Sequence, residues 1–196
     1  MDSKPDEKKA WLPEKHKKKI CFMGIALLAA LIGVGLYMSG FPRKKPETIA
    51  REYTSETGWM MICDTKEHML FVFTQSPDAD LSKWVPVYYN SFPCSIGEII
   101  EKNGKRRTRT PLGVAHIRWK QRYCLFDDCR TWYNSWMEDS VFGIHSTPYM
   151  RDEEEPLHEI DDRLGMDISN RCIRVKLKVA KWIYKTFPEG TPLIVY

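Results

Sequence analysis

Two stretches of the chain hold side chains whose types could act together chemically: VFGIHSTPYM, Val141 to Met150, and DISNRCIRVK, Asp167 to Lys176. His145 in the first precedes Cys172 in the second by 27 residues. A thiolate is a competent nucleophile, and near neutral pH a thiol needs a base or a positive neighbour to form it. Arg171 and Arg174 lie close to Cys172 in sequence. A helix expected to begin at Val175 would add unpaired N–H groups that favour the anion. His16, His68, His116 and His158 are less well placed: on the N-terminal tail, beside a turn, on an alternating strand with no nucleophile near, and in an acidic run. A histidine at a strand end is more often structural than catalytic, so residue types raise the Cys–His pair without deciding it.

Positioning these groups falls mainly to short strands. HMLFVF (68–73), WVPVYY (84–89), VAHIRW (114–119), YCLF (123–126), VFGI (141–144) and the terminal PLIVY are rich in β-branched and aromatic residues. Turn chemistry punctuates them, with Asn103-Gly104 reading as a two-residue hairpin turn and Thr110-Pro111-Leu112-Gly113 as a β-turn. Many short strands with turns between them predict a mainly β fold, a sandwich or small barrel. One segment differs: Val175, Val179, Trp182, Ile183 and Phe187 share a face opposite Lys178, Lys181 and Lys185, which predicts an amphipathic helix closed by Pro188 and Gly190. The acidic run RDEEEPLHEIDDR, 151–163, reads as a solvated loop, with a lid over a cleft as the sharper alternative.

The N-terminal part has another character. Ile20 to Phe41 carries no charged side chain, and about 20 apolar residues at about 1.5 Å each match a hydrocarbon core of about 30 Å. Seven lysines precede it and four basic residues follow by position 51, so a single-pass anchor would keep its N-terminus in the cytoplasm and export the rest. A cleaved signal peptide fits less well, because the apolar run is long and LYMSG is a poor cleavage site. The expected organisation is a basic tail (1–19), a transmembrane helix (20–41), a linker (42–55) and one domain (56–196). The chain carries +4 overall; the first 45 residues hold +6, leaving about −2 for residues 46–196. That balance argues against nucleic acid as a partner. The basic run KNGKRRTR, 102–109, could meet an anionic cell-wall polymer or be a plain solvated turn.

Five cysteines follow the apolar run, at 63, 94, 124, 129 and 172. Cys124 with Cys129 could close a small loop and Cys63 with Cys94 could bridge strands, leaving Cys172 unpaired; all could equally be reduced. Ligand pairs at the usual short zinc spacing are absent, so neither a metal nor another cofactor is expected.

SIGE (95–98), RTPLGVAHI (109–117), FGIHSTPY (142–149), LGMDISNRCIR (164–174) and EGTPLIVY (189–196), with a helix before the last, together resemble the L,D-transpeptidase (YkuD-type) catalytic domain. The resemblance runs from about Glu56 to Tyr196. It implies an exported or membrane-anchored, mainly β sandwich enzyme that cross-links peptidoglycan stem peptides through a cysteine acyl-enzyme. It implies Cys172 as nucleophile, His145 as proton donor and acceptor, and Ser146 as the residue whose oxygen orients the imidazole. Ser169, Asn170, Arg171, Arg174 and Tyr149 become candidates for substrate or oxyanion contacts. Tyr149, Trp132, Tyr133 and Trp136 could line the cleft, although aromatic residues in a sandwich are core more often than contact. Carbapenem-type β-lactams would be acylating inhibitors. The family usually has His-Gly where this chain has Asn170-Arg171. The change puts the whole proton-transfer role on His145, and arginine lacks glycine's positive-φ freedom. L,D-carboxypeptidase activity, or a non-catalytic wall-binding protein, stays open at this point.

Overall fold

A computed structural model describes residues 43–80, 82–138 and 142–196. The expected basic tail and membrane span, 1–41, lie outside them. Among the described residues no helix is long and apolar enough to cross a membrane.

Residues 45–196 form one unit, mainly β. Helix α1 (Pro46–Glu52) opens it, inside the segment expected to be a linker. Proline suits a first helical turn, where its missing N–H has no partner to lose, and Ile49 and Ala50 are buried against the sheet. Strands β1 (Trp59–Asp64), β2 (Met69–Gln75) and β3 (Pro86–Pro93) form an antiparallel meander. The short β4 (Ile96–Gly97) and the hairpin β5 (Ile99–Lys102) and β6 (Lys105–Thr108) come next. Asn103 and Gly104 join β5 to β6 at φ 54° and 69°, the positive values that a two-residue turn of this kind demands.

Strand β7 (Gly113–Leu125) is a single run of 13 residues where two shorter strands were expected. Its first four residues pair with β12 (Pro192–Val195), and from Ile117 onward it pairs with β8 (Arg130–Met137). The polar stretch Lys120 to Arg122 therefore continues β7 as the largely exposed strand of a ribbon whose partner, β8, is mostly buried. Strands β9 (Gly143–Ser146), β10 (Asp167–Ser169) and β11 (Ile173–Val175) follow, then helix α2 (Leu177–Thr186).

The main sheet is one eight-stranded ladder in the order β11, β9, β8, β7, β12, β1, β2, β3. β7 changes partners midway along its length, and both halves of the ladder contribute to one core. Met61, Leu70 and Val72 from one half meet Met137, Ile144 and Ile173 from the other under Val179, Ile183 and Phe187. Full burial of each such side chain contributes about 1.5–3 kcal/mol, which fixes α2 across β8 and β9. The helix starts two residues later than the apolar period suggested because Val175 belongs to β11, whose carbonyl accepts the N–H of Thr147 at 2.9 Å. Phe187 donates its N–H to the Ile183 carbonyl at 2.9 Å, and Pro188 ends the helix.

Candidate active site

β9 and β11 run parallel with Ile144 opposite Ile173, His145 opposite Arg174 and Ser146 opposite Val175. Side chains alternate along a strand, so the two isoleucines enter the core and His145 and Arg174 share the other face. Cys172 stands one step before β11 and two before Arg174, which returns its side chain to that face. The same register continued backward sets Gly143 opposite Cys172. Gly143 fits because β8 is close: a Cβ there would lie 2.7 Å from the Ser135 carbonyl oxygen and 3.0 Å from the Trp136 ring. His145, Cys172, Arg174, Ser169, Asn170 and Arg171 line one cavity of about 180 Å³.

His145 is 4% exposed. Its Nδ1 lies 2.6 Å from the Ser146 carbonyl oxygen, which can only accept, so Nδ1 carries the proton and Nε2 is left as a base. The Ser146 hydroxyl donates to the Thr147 carbonyl at 2.6 Å and accepts the Trp132 N–H at 2.9 Å, tying that carbonyl's segment to β8. Burial lowers the His145 pKa to about 4; the Ser146 hydrogen bond raises it and the nearby Arg174 charge lowers it further. Burial likewise raises the Cys172 thiol to about 11, while the Gly143 backbone N–H and the charges of Arg174 and Arg171 oppose that rise. The expected help from a helix start is not there, since three residues of β11 and Lys176 separate Cys172 from α2 and a helix dipole acts only over its first turn. At neutral pH the pair is thiol and imidazole.

Arg174 ion-pairs through Nη1 with Asp161 at 3.2 Å and keeps a buried Nε without a partner. Asp161 also binds Arg163 at 2.8 Å, chiefly for which its pKa falls to about 2.

The turn that presents Cys172 is held by side chains. Ser169 Oγ donates to the Cys172 carbonyl at 2.5 Å, and Arg109 Nη1 donates to Asn170 Oδ1 at 2.7 Å. Buried Thr110 donates to the Arg171 carbonyl at 2.8 Å and accepts the Gly97 N–H at 2.7 Å. Among the described residues only His68, Asn103 and Tyr133 are non-glycine residues with positive φ. Arg171 therefore occupies its place without needing the conformations that glycine alone tolerates.

The sequence matches the profile of the YkuD family, the L,D-transpeptidase catalytic domain, over residues 60–195. The chain belongs to this family. It is 33% identical over 90 residues to "Putative L,D-transpeptidase YciB" of Bacillus subtilis (strain 168), an alignment covering 44% of this chain and 46% of that protein. The chain thus spans under half the length of this relative. A fused zinc-dependent amidase/peptidase/peptidoglycan-binding domain protein of Clostridium acetobutylicum ATCC 824 has a similar structure, with a TM-score of 0.53 and 25% identity over 76% of this chain and 57% of that one. An L,D-transpeptidase 3 of Mycobacterium tuberculosis, solved with a faropenem-derived adduct, superposes at 0.46 with 19% identity, covering 70% of this chain and 60% of that one.

Within this YkuD domain several expected site residues sit elsewhere. Tyr149 is buried and bridges backbone to backbone with Arg130 and Glu159, outside the cavity lining. Trp132 is fully buried, Trp136 stacks on Trp119, and Tyr133 packs edge-on against Tyr184 of α2. The acidic run is pinned rather than loose: Glu159 binds Thr147 and lies 3.5 Å from Lys176, Arg122 holds Glu155 at 2.7 Å, and Arg130 donates to the Glu153 carbonyl. His116 pairs with Glu138, His68 with Asp167 and His158 with Glu153, all away from the cavity.

Phe126, Asp128, Cys129, Thr131 and Pro148 complete the lining, and of these only Cys129 stands out in the sequence, as a possible disulfide partner and not as a cavity wall. The β7–β8 hairpin delivers four of them, and nothing in the local sequence shows that this turn reaches Cys172. Cys124 and Cys129 are both thiols in that hairpin; burial raises both, Cys129 to about 11. Cys63 and Cys94 are thiols too, with sulfurs 3.9 Å apart. No group of three or more His, Cys, Asp or Glu side chains among the described residues is arranged to hold a metal ion.

Proposed function

We propose that the chain is a cysteine-dependent peptidoglycan L,D-transpeptidase that forms 3→3 cross-links between stem peptides. The observation that carries this reading is the shared cavity: an imidazole with a fixed tautomer lines it from β9, and a partly buried thiol lines it from the turn just before the parallel neighbour β11. In the proposed reaction Cys172 attacks the carbonyl of the third residue of a donor tetrapeptide. Its S–H proton passes to Nε2 of His145 as the S–C bond forms, so no resting ion pair is required. Backbone N–H groups about Arg171 and Cys172 would hold the oxyanion, at about 3–4 kcal/mol for a well-placed donor, and Arg174 lines the same cavity. The C–N bond then breaks and the departing D-alanine amine takes the proton from His145. The side-chain amine of a second stem attacks the thioester, gives its proton to His145 and releases the Cys172 thiol.

Ser146 acts here through its carbonyl, fixing the imidazole, and Ser169 and Asn170 act by holding the turn. The Asn170-Arg171 departure from the family pattern is compatible with chemistry, because the turn is braced by Arg109 and Thr110 and asks for no glycine conformation. Residues 20–41 would anchor the protein in the cell membrane with its N-terminus cytoplasmic and this domain outside, where stem peptides are found.

Exposure to a carbapenem, whose strained amide acylates a competent thiol, tests the reading. Intact-protein mass spectrometry should show one covalent adduct that is absent in Cys172→Ala. Folded protein without an adduct would leave only a wall-binding module. Product analysis with stem tetrapeptides would separate 3→3 dimers from trimmed tripeptides, the latter marking an L,D-carboxypeptidase.

A further inference from the structure

The catalytic cavity has a neighbour. Arg171, lining the former, also lines a second groove of about 440 Å³ with Lys102, Arg107, Arg109, Ile100 and Thr108. Four of the residues along that groove are cationic and none is acidic. Arg109 has Asn170 at 2.7 Å and Glu98 at 3.9 Å, whereas Lys102, Arg107 and Arg171 have no ion-pair partner among the described residues. The β5–β6 hairpin produces this one-sidedness: its register sets Ile100 opposite Arg107 and Lys102 opposite Lys105 on one face, and Glu101 opposite Arg106 on the other. Residues 46–196 carry about −2 overall, so the patch is not a sample of a generally basic surface. Cations gathered without counter-charges repel one another and favour an anionic ligand.

Size says what that ligand is attached to. A cavity of about 180 Å³ is smaller than the roughly 300–1,000 Å³ that even a drug-sized ligand occupies. A stem peptide whose reacting carbonyl reaches Cys172 must therefore continue outside it, and Arg171 marks a seam between the cavity and the cationic groove. We propose that the Lys102, Arg107, Arg171 groove is a subsite for free carboxylates of the stem peptide outside the reacting bond. Planar guanidinium groups suit this task because each can grip a carboxylate with two parallel hydrogen bonds. The inference rests on the transpeptidase reading and adds a preference: stems with free carboxylates bind better than stems carrying amides at those positions.

The full chain carrying Cys172→Ala, which binds without turning over, is titrated with a disaccharide tetrapeptide bearing free carboxylates and with its amidated counterpart. Arg107→Glu and Arg106→Glu are compared in that background. They make the same charge change at adjacent, exposed positions on opposite faces of the hairpin. Arg107→Glu should weaken the carboxylated ligand about tenfold at low salt, with a smaller effect as salt rises, and leave the amidated ligand within about twofold. Arg106→Glu should leave both within about twofold. Equal effects of the two variants, or equal losses for the two ligands, overturn the subsite. So does loss of binding to a phosphodiester polymer such as poly(glycerol phosphate) with stem binding intact, which would make the face a wall-polymer contact. The carbapenem adduct of the otherwise unaltered chain keeps the two readings apart. An adduct with no Arg107 effect sinks the subsite alone; an Arg107 effect with no adduct sinks the enzyme alone.

Discussion

The core pair Cys63 and Cys94 and the cavity thiol Cys172 are both drawn away from water, and the two settings are built differently. Cys63 on β1 and Cys94 after β3 are fully buried with sulfurs 3.9 Å apart, in a cluster with Met61, Leu70 and Val72. Cys172, beside edge strand β11, is partly buried and has the Gly143 N–H, the Arg174 and Arg171 charges and the wall of His145 for company. Burial opposes the thiolate at Cys172 by raising its pKa to about 11, so desolvation does not activate a thiol. What separates the two places is a base and oriented positive groups within one cavity. The β9–β11 register brings these together beside Cys172, whereas Cys63 sits in a cluster of apolar side chains.

The largest effect should come from removing the proposed base, His145, while keeping its tether to Ser146. An asparagine at position 145 can still donate to the Ser146 carbonyl, yet it cannot take a proton. His145→Asn should slow carbapenem adduct formation on Cys172 by about 10²–10⁴-fold, the usual scale for general acid–base help, with the fold retained by circular dichroism. His116→Ala, which removes a half-exposed ring paired with Glu138, should change the adduct rate by less than about threefold. Similar losses in both variants would mean that imidazole chemistry at this site has been misassigned.

Acid should expose the same asymmetry as stability. The folded-state pKa of His145, about 4, lies below its ordinary 6.5. Between those values the unfolded chain binds a proton that the folded chain refuses, so stability falls as pH drops from about 6.5 to about 4 and levels off below. The contribution is on the order of 3 kcal/mol at most. Chemical denaturation of the native protein and His145→Asn across pH 4–7 should give a difference curve with that slope. Asp161 falls in another window: with its pKa lowered from 3.8 to about 2, the stability it lends is lost only as pH falls through that lower range. A flat difference curve between pH 4 and 7 would show that the ring is open to solvent.

The sequence carried unequal amounts of this. The Asn103-Gly104 turn and the α2 face were readable because each depends on local chemistry: two positive-φ residues and a 3.6-residue apolar period. β1 gave no alternation to read since it lies between β12 and β2 with five of its six residues buried. β8 hides behind buried polar residues, Thr131, Asn134 and Ser135, the first two bonded to each other at 2.7 Å. The motif blocks identified the family and pointed to Cys172 and His145. Tyr149, Trp132 and Trp136, weighed as cleft walls against the commoner core role, are buried, and the wall is formed by Phe126, Asp128 and Cys129 from a turn distant in sequence. Pairing of non-adjacent strands decides which loops meet at the cavity, and such pairing has no local signature.

The smallest expected effect concerns the other pair of sulfurs, where packing alone should be at stake. Cys63→Ala removes one buried sulfur from a close-packed core, which should cost about 1–2 kcal/mol of unfolding free energy, allowing for the void left beside Cys94. Its effect on carbapenem adduct formation should stay within about twofold. The link from Cys94 to the site is a backbone one: the next residue, Ser95, exchanges hydrogen bonds of 2.9 and 2.8 Å with Arg174. A change confined to side-chain volume at Cys63 leaves those bonds in place, so stability and acylation should separate. If Cys63→Ala slowed acylation as much as it lowered stability, the core thiols would be positioning β11, and the division between inert and reactive sulfur would no longer hold.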